Sequence, residues 1–492
     1  MFRGVLFFAI VIMLHIETFA AFRFHVQEEP MTLDPLHSHS TISSYVLSTL
    51  YTPLMQYQDG RLKPLGARRC DWLSGTTLRC QLRTDWLWSD GQPVTADEIV
   101  FAVREMFEQK STRVDSFLGL KNSAEILRHE KPIEQLGVLA ISRSAVEFEL
   151  TKPDIEFQYR LIDPVVSPRR KDILADGHVS AGPFIFEKRV PGRSLLFHNN
   201  PKYFVKKPRP DVEVMVVEAD DTALKMFDKG ELNFHRRLPV EAAPAYQNKP
   251  GFIKQPLLRF DYIGVGPELE YQPELRRRLA LSLAPQYRAM MKIFASLGPP
   301  GCIGLPKALL PHSMCFEKTA VSPYDSKELA LLPRLSLTIA TQGGDTVVRQ
   351  AELFQSGWRK NLGLDVEIKL KEVKQLEGDL RKSPPALFRR GVNLERPTCL
   401  AALELFQSKS LNNFVHFENK IYDSILDKMR TTRERSAMAA LCQKGSELLL
   451  KSYRIIPLGE IQFFMLSDQK FDGFRINELN QLDLSHLAER RH

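Results

Sequence analysis

The chain has 492 residues, 43% hydrophobic and 26% charged, with a formal net charge of +8 at pH 7. That length exceeds one ordinary core and calls for two or three domains, while the composition excludes a disordered chain. No basic block interleaves with aromatics or joins a helix-turn-helix pattern, so nucleic acid is excluded as a partner.

Met1 to Ala20 reads as a cleaved secretory signal peptide. Arg3 gives a basic start, Val5 to Ile16 is mainly apolar, and Thr18 and Ala20 are small residues before the cut. No cysteine follows it, so a lipid anchor is not expected. Export places the six cysteines in an oxidising compartment, where an even number permits complete pairing. Cys70 and Cys80 flank a hairpin, Cys302 and Cys315 flank a Pro-rich loop, and Cys399 with Cys442 remain as the third pair.

Phe24 to Gln27 reads as a first strand, followed by a polar loop through His37, His39, Ser40, Thr41, Ser43 and Ser44. Leu78, Cys80 and Leu82 alternate as a strand. In the stretch Trp86 to Glu98, WLWSDGQPVTADE, the two tryptophans share one side of a short strand and Ser89-Asp90-Gly91 forms a tight turn. Thr95 and Glu98 then make a capping box for a helix whose stripe is Ile99, Ala102, Val103, Met106 and Phe107. A hairpin is expected from residues 133–141 and 145–150.

Further on, residues 211–217 alternate as a strand, and residues 220–228 form a short helix ended by Gly230. Residues 259–265 read as extended. Pro273 opens a helix through Leu275, Leu279 and Leu283, with Arg276 and Arg278 at a solvent or lobe edge. Residues 335–340, a helix striped by Val347, Ala351, Phe354, Trp358 and Leu362, and residues 364–370 form a βαβ pattern with a parallel strand pair. Gly343-Gly344 between them lacks the Lys and Ser/Thr of a nucleotide phosphate loop. A late helix over residues 434–450 offers Ala437, Leu441 and Leu448 for packing.

WSDGQPVTADE closely resembles the most recognisable segment of the family 5 extracellular solute-binding proteins, the peptide and nickel receptors of ABC importers. Thr32-Leu33-Asp34-Pro35, Ser180-Ala181-Gly182-Pro183-Phe184 and Phe471-Asp472-Gly473-Phe474 extend the resemblance over nearly the whole chain. It implies an α/β, two-lobed periplasmic-binding-protein-like fold with discontinuous domains and a smaller subdomain inserted in the first lobe. The first lobe would comprise residues 21–60, 170–262 and 460–492, its subdomain 61–169, and the second lobe 263–459. The implied function is periplasmic delivery of a peptide or peptide-like solute to an inner-membrane ABC importer permease, by a monomer that is no enzyme and carries no cofactor.

The resemblance also implies a site. It puts His39, Ser40, Thr41 and Ser43 beside the ligand cleft, and Phe260, Asp261 and Tyr262 at a hinge along its floor. In peptide-binding relatives a loop aspartate receives the ligand's amino terminus. Matching Gly391 and Pro397 sets Asn393 at that aspartate, and an asparagine accepts a hydrogen bond but cannot pair as an anion with an ammonium. Glu395 is a nearby replacement charge, and Arg389 or Arg390 favours a carboxylate-bearing ligand. Two alternatives accompany this reading: a metal-chelate receptor using His37, His39 and His416, and a ligand sensor or interaction module that serves no importer.

Overall fold

The computed structural model describes residues 21–38, 41–173, 176–283, 301–306, 309–310, 314–317, 319, 321–341 and 344–490. The expected signal segment, His39, Ser40 and Gly343 lie outside them. Among the described residues, sheets of seven, five and four strands organise the chain.

The tryptophan corner joins two of these sheets. A buried indole N–H needs an acceptor; Trp86, which has no exposed surface, donates from Nε1 to the Ala181 carbonyl at 2.8 Å. Trp88 Nε1 donates to Glu98 at 3.1 Å, and the same carboxylate accepts the Thr95 backbone N–H at 3.0 Å. This closes the expected start of the helix Ala96–Glu108, whose stripe of Ile99, Ala102, Val103, Met106 and Phe107 is buried. Gly91 makes the tight turn with φ +90°. The Ser89 N–H donates to the Ser180 carbonyl at 2.9 Å. The corner therefore fastens the four-stranded sheet to the turn that introduces Phe184–Val190 of the seven-stranded sheet.

In the seven-stranded sheet, Phe22–Val26 runs parallel to Val212–Val216 and lies beside Phe234–His235. Ile461–Ser467 and Phe252–Leu257 complete that edge. The four-stranded sheet comprises Ala67–Trp72, Thr77–Leu82, Ala145–Glu149 and Val138–Ser142. Its last strand begins later than the sequence pattern suggests. Pro132 presets a turn, so Ile133–Gln135 forms a short 3-10 helix.

The five-stranded sheet holds the expected βαβ unit. Leu335–Ala340 pairs in parallel with Val366–Lys371, and the connecting helix Gly344–Leu362 buries Val347, Ala351, Phe354, Trp358 and Leu362. Gly363 ends it at φ +74°. Leu387–Asn393, Arg259–Val265 and Ile455–Pro457 complete this sheet.

Two surface expectations are corrected. Arg276 is buried, not at a lobe edge, because its guanidinium donates to the Leu269 carbonyl at 2.8 Å and also to that of Glu270. The helix Arg435–Lys451 buries Cys442, Gly445, Ser446, Leu449 and Leu450; Leu441 and Leu448 are half-buried and pack against the core as expected, whereas Ala437 is exposed. The disulfide Cys399–Cys442 selects the buried face. Cys70–Cys80 and Cys302–Cys315 are also bonded, so all three expected pairs form.

His25 and His235 occupy neighbouring strands of the seven-stranded sheet without exposed surface, their ring centroids 4.8 Å apart. Burial lowers both pKa values, and the neighbouring His25 and Arg236 help bring His235 to about 4. Asp220 and Arg237 complete the charged surroundings. A depressed histidine favours folding fully above its unfolded value near 6.5, and that contribution disappears as pH falls through about 4. Urea unfolding is expected to lose on the order of 3 kcal/mol of stability over that window through His235. His235→Gln flattens the slope; an unchanged slope in this variant excludes His235 as its source.

Candidate functional site

Among the described residues, the chain passes between the seven- and five-stranded sheets twice. Phe252–Leu257 belongs to the first and Arg259–Val265 to the second, so the crossing is Leu258 alone. The return runs through residues 458–460, between Ile455–Pro457 and Ile461–Ser467. Leu258 donates its N–H to the Glu478 carbonyl at 2.7 Å and accepts from the Leu394 N–H at 2.9 Å. Phe260, Asp261 and Tyr262 are buried inside the five-stranded sheet just beyond the crossing. None of the three lines the cleft, and their paired backbone suits a fixed strand better than a pivot.

A cleft of about 630 Å³ opens beside this crossing. The helix Thr41–Leu50 contributes Ser44 and Ser48 to its wall, and the hairpin Met55–Gln58/Arg61–Pro64 contributes Tyr57 and Asp59. The short helices Thr112–Phe117 and Phe157–Ile162 bring Arg113, Ser116, Tyr159 and Arg160, with Asp163 following. The end of Leu387–Asn393 in the five-stranded sheet and the residues after it supply 393–396, and the terminal hairpin Arg475–Ile476/Leu482–Asp483 closes the remaining side with Asn477, Glu478 and Asn480.

Of the expected binding residues, Asn393 and Glu395 line the cleft. Ser43 is buried and does not line it, whereas Ser44 on the same helix does. Thr41 starts that helix. Arg389 and Arg390 also stand away from the lining. Arg389 Nη2 donates to Asp261 at 3.1 Å, while the Arg390 guanidinium lies 4.7 Å above the Phe414 ring. Both are committed to the sheet beneath. His37 and His416 are exposed, and no group of three or more His, Cys, Asp or Glu side chains among the described residues could hold a metal ion.

Tyr57, Arg113, Tyr159, Arg475 and Glu478 were missed because single polar residues in strands and 3-10 helices of two to six residues, or in the turns between them, carry no periodic signal. The terminal hairpin had one available clue. Asn477 Oδ1 accepts the backbone N–H groups of Leu479 and Gln481, each at 3.0 Å, which is the turn habit of an asparagine.

Polar contacts cross the cleft. Ser116 Oγ donates to Glu395 Oε2 at 2.9 Å. Nearby, Arg113 lies 3.5 Å from Asp163, whose pKa is raised by burial against that guanidinium's opposing influence. Burial also raises the Tyr57 and Tyr159 pKa values, keeping both phenols neutral hydrogen-bonding groups near pH 7. Beside the cleft, Arg396 Nε donates to Glu156 at 3.0 Å, Thr398 Oγ1 donates to the same carboxylate at 2.9 Å, and Arg396 also binds Glu404. Burial raises the Glu156 pKa and Arg396 holds it down.

A cleft walled by two lobes over two chain crossings defines a two-lobed binding protein. Residues 71–413 match the bacterial extracellular solute-binding proteins, family 5 Middle, and the chain belongs to that family. It is 23% identical to the Escherichia coli protein named "Probable deoxycholate-binding periplasmic protein YgiS", covering 89% of this chain and 87% of that one. Identity to the E. coli periplasmic murein peptide-binding protein MppA is 22%, covering 92% of this chain and 90% of the relative. The solved Haemophilus influenzae OppA complex with RPPGFSPFR has the same fold, with a TM-score of 0.76 at 19% identity over 96% of this chain and 100% of that one. No helix among the described residues is long and apolar enough to cross a membrane.

The contacts around Arg396 and Ser116 should differ sharply in strength. Arg396→Ala strands the buried Glu156 carboxylate and is expected to cost about 3–5 kcal/mol in urea unfolding at pH 7. Ser116→Ala removes one exposed hydrogen bond and should cost no more than about 1.5 kcal/mol. Equal losses would contradict this ranking.

Proposed function

We propose that the protein captures a peptide or peptide-like solute in the cleft, holds it chemically unchanged and delivers it to an inner-membrane ABC importer permease. It acts in the periplasm as a monomer after removal of the signal segment, and it is a carrier, not an enzyme. The observation carrying this reading is the cleft walled by both lobes, with Ser116 and Glu395 meeting across it. A ligand contacting both walls favours the closed arrangement by its differential contacts, which shifts an open-to-closed equilibrium without covalent chemistry.

The proposed first lobe contains residues 21–60, 170–257 and 461–492, with 61–169 as its subdomain; the second contains 259–457, and Leu258 and residues 458–460 are the hinge. Sheet membership supports this division. Asn393 and Glu395 are the proposed ligand-contacting residues of the second lobe, facing Tyr57, Arg113 and Tyr159. Tyrosine hydroxyls and backbone groups suit the main-chain donors and acceptors of an extended peptide.

Native mass spectrometry of the mature protein, purified without refolding and then stripped of ligand, is expected to release a short peptide or peptide-like solute. A metal-containing mass would favour the chelate-receptor alternative. Absence of bound solute together with no mass shift on adding peptide pools would overturn the proposal. Asn393→Ala and Glu395→Ala should each weaken capture by about tenfold with native-like circular dichroism. Unchanged affinity in both would remove them from the site.

A further inference from the structure

Asn393 ends its strand directly opposite Arg259, and its Oδ1 lies 3.4 Å from Arg259 Nη1. A guanidinium has only donors, so the asparagine amide turns its oxygen toward Arg259 and its NH2 group away. Asn393 is exposed and lines the cleft. The group it offers a ligand is therefore a donor.

The charge below has the same preference. Arg259 Nε lies 2.6 Å and Arg389 Nη2 3.1 Å from the Asp261 carboxylate, so two cations share one anion. The Asp261 side chain has no exposed surface, whereas Arg259 keeps 29% of its side-chain exposure and stands behind Asn393, outside the cleft lining. Gly391 makes room for this arrangement, because a Cβ there would overlap the Arg259 guanidinium. Glu395 is the next anion along the segment, but its Oε2 is turned toward Ser116 on the opposite wall.

We infer that Asn393, with Arg259 behind it, receives an anionic group of the ligand, a carboxylate, and not an ammonium. This rests on the peptide-receptor reading above and assigns the ligand's direction within the cleft. A carboxylate accepts the Asn393 N–H and lies within the field of the excess guanidinium charge; an ammonium meets a donor backed by a cation.

The test uses the mature full chain and a degenerate pool of tri- to pentapeptides in unmodified, N-acetylated and C-amidated forms, with retention read by native mass spectrometry. Acetylation should change retention by less than about twofold, whereas amidation should lower it by about tenfold or more. Asn393→Asp, checked by near-ultraviolet circular dichroism, should lower retention of the unmodified pool by about tenfold and raise the share of amidated peptides. Amidated peptides retained only when they contain Asp or Glu, and lost in Asn393→Asp, would identify the carboxylate as a side chain at the same position. Loss on acetylation with indifference to amidation overturns the assignment and leaves peptide reception standing. An Asn393→Asp variant that retains all three pools as the parent does also overturns it. Failure of every pool to bind the parent protein removes the receptor reading and this inference together.

Discussion

Asp261 is a carboxylate without exposed surface in the middle of a sheet, and a buried charge is tolerated only when paired and hydrogen-bonded. Arg259 and Arg389 converge on it from its own strand and from the adjacent one. That convergence locks the pairing of Arg259–Val265 with Leu387–Asn393 and calls for glycine at position 391. The strand so fixed begins immediately after Leu258, where the chain leaves the other sheet. The strand pair is consequently a rigid reference beside the crossing, and its exposed end carries Asn393 into the cleft lining.

The walls of the cleft are joined by contacts of two kinds. The buried contact is Glu156 with Arg396 and Thr398, reinforced by the Ile155 N–H donating to the Arg430 carbonyl at 3.1 Å. The more exposed contact is Ser116 with Glu395. Separating the buried pair exposes or orphans charges, whereas water readily replaces a serine hydroxyl. This difference suits a structure in which one part of the interface holds the walls in register and another yields to an incoming solute.

Much of the framework was legible because it has local signatures. The capped helix after Trp88, the striped helix ending at Gly363 and the flanking parallel strands rest on periodicity and end signals within a short window. The disulfides were legible because two pairs are local and the third followed by exclusion. The late helix was legible in part: Leu441 and Leu448 flank its buried face, while Ala437 lies a turn beyond the stretch that Cys442 and Gly445 draw into the core. The cleft was less legible than the framework. Asn393 and Glu395 were found through a resemblance, but Ser116 is 279 positions from its partner Glu395, and no local pattern encodes such a meeting. Arg389 and Arg390 looked like ligand groups because sequence does not show that Asp261 and Phe414 already occupy them.

The terminal hairpin has a consequence for the order in which the molecule takes shape. Tyr45 bonds Asn480 across 435 positions, and Asn477 donates to the Tyr57 carbonyl across 420. Ile461–Ser467 fills the gap between Phe234–His235 and Phe252–Leu257. The seven-stranded sheet and the cleft wall beside it thus wait for the last tenth of the chain before they are whole. Contacts of such high order slow folding, since long loops close before any of the late pairings are gained. During synthesis, the growing polypeptide remains without its final wall until its carboxyl end emerges.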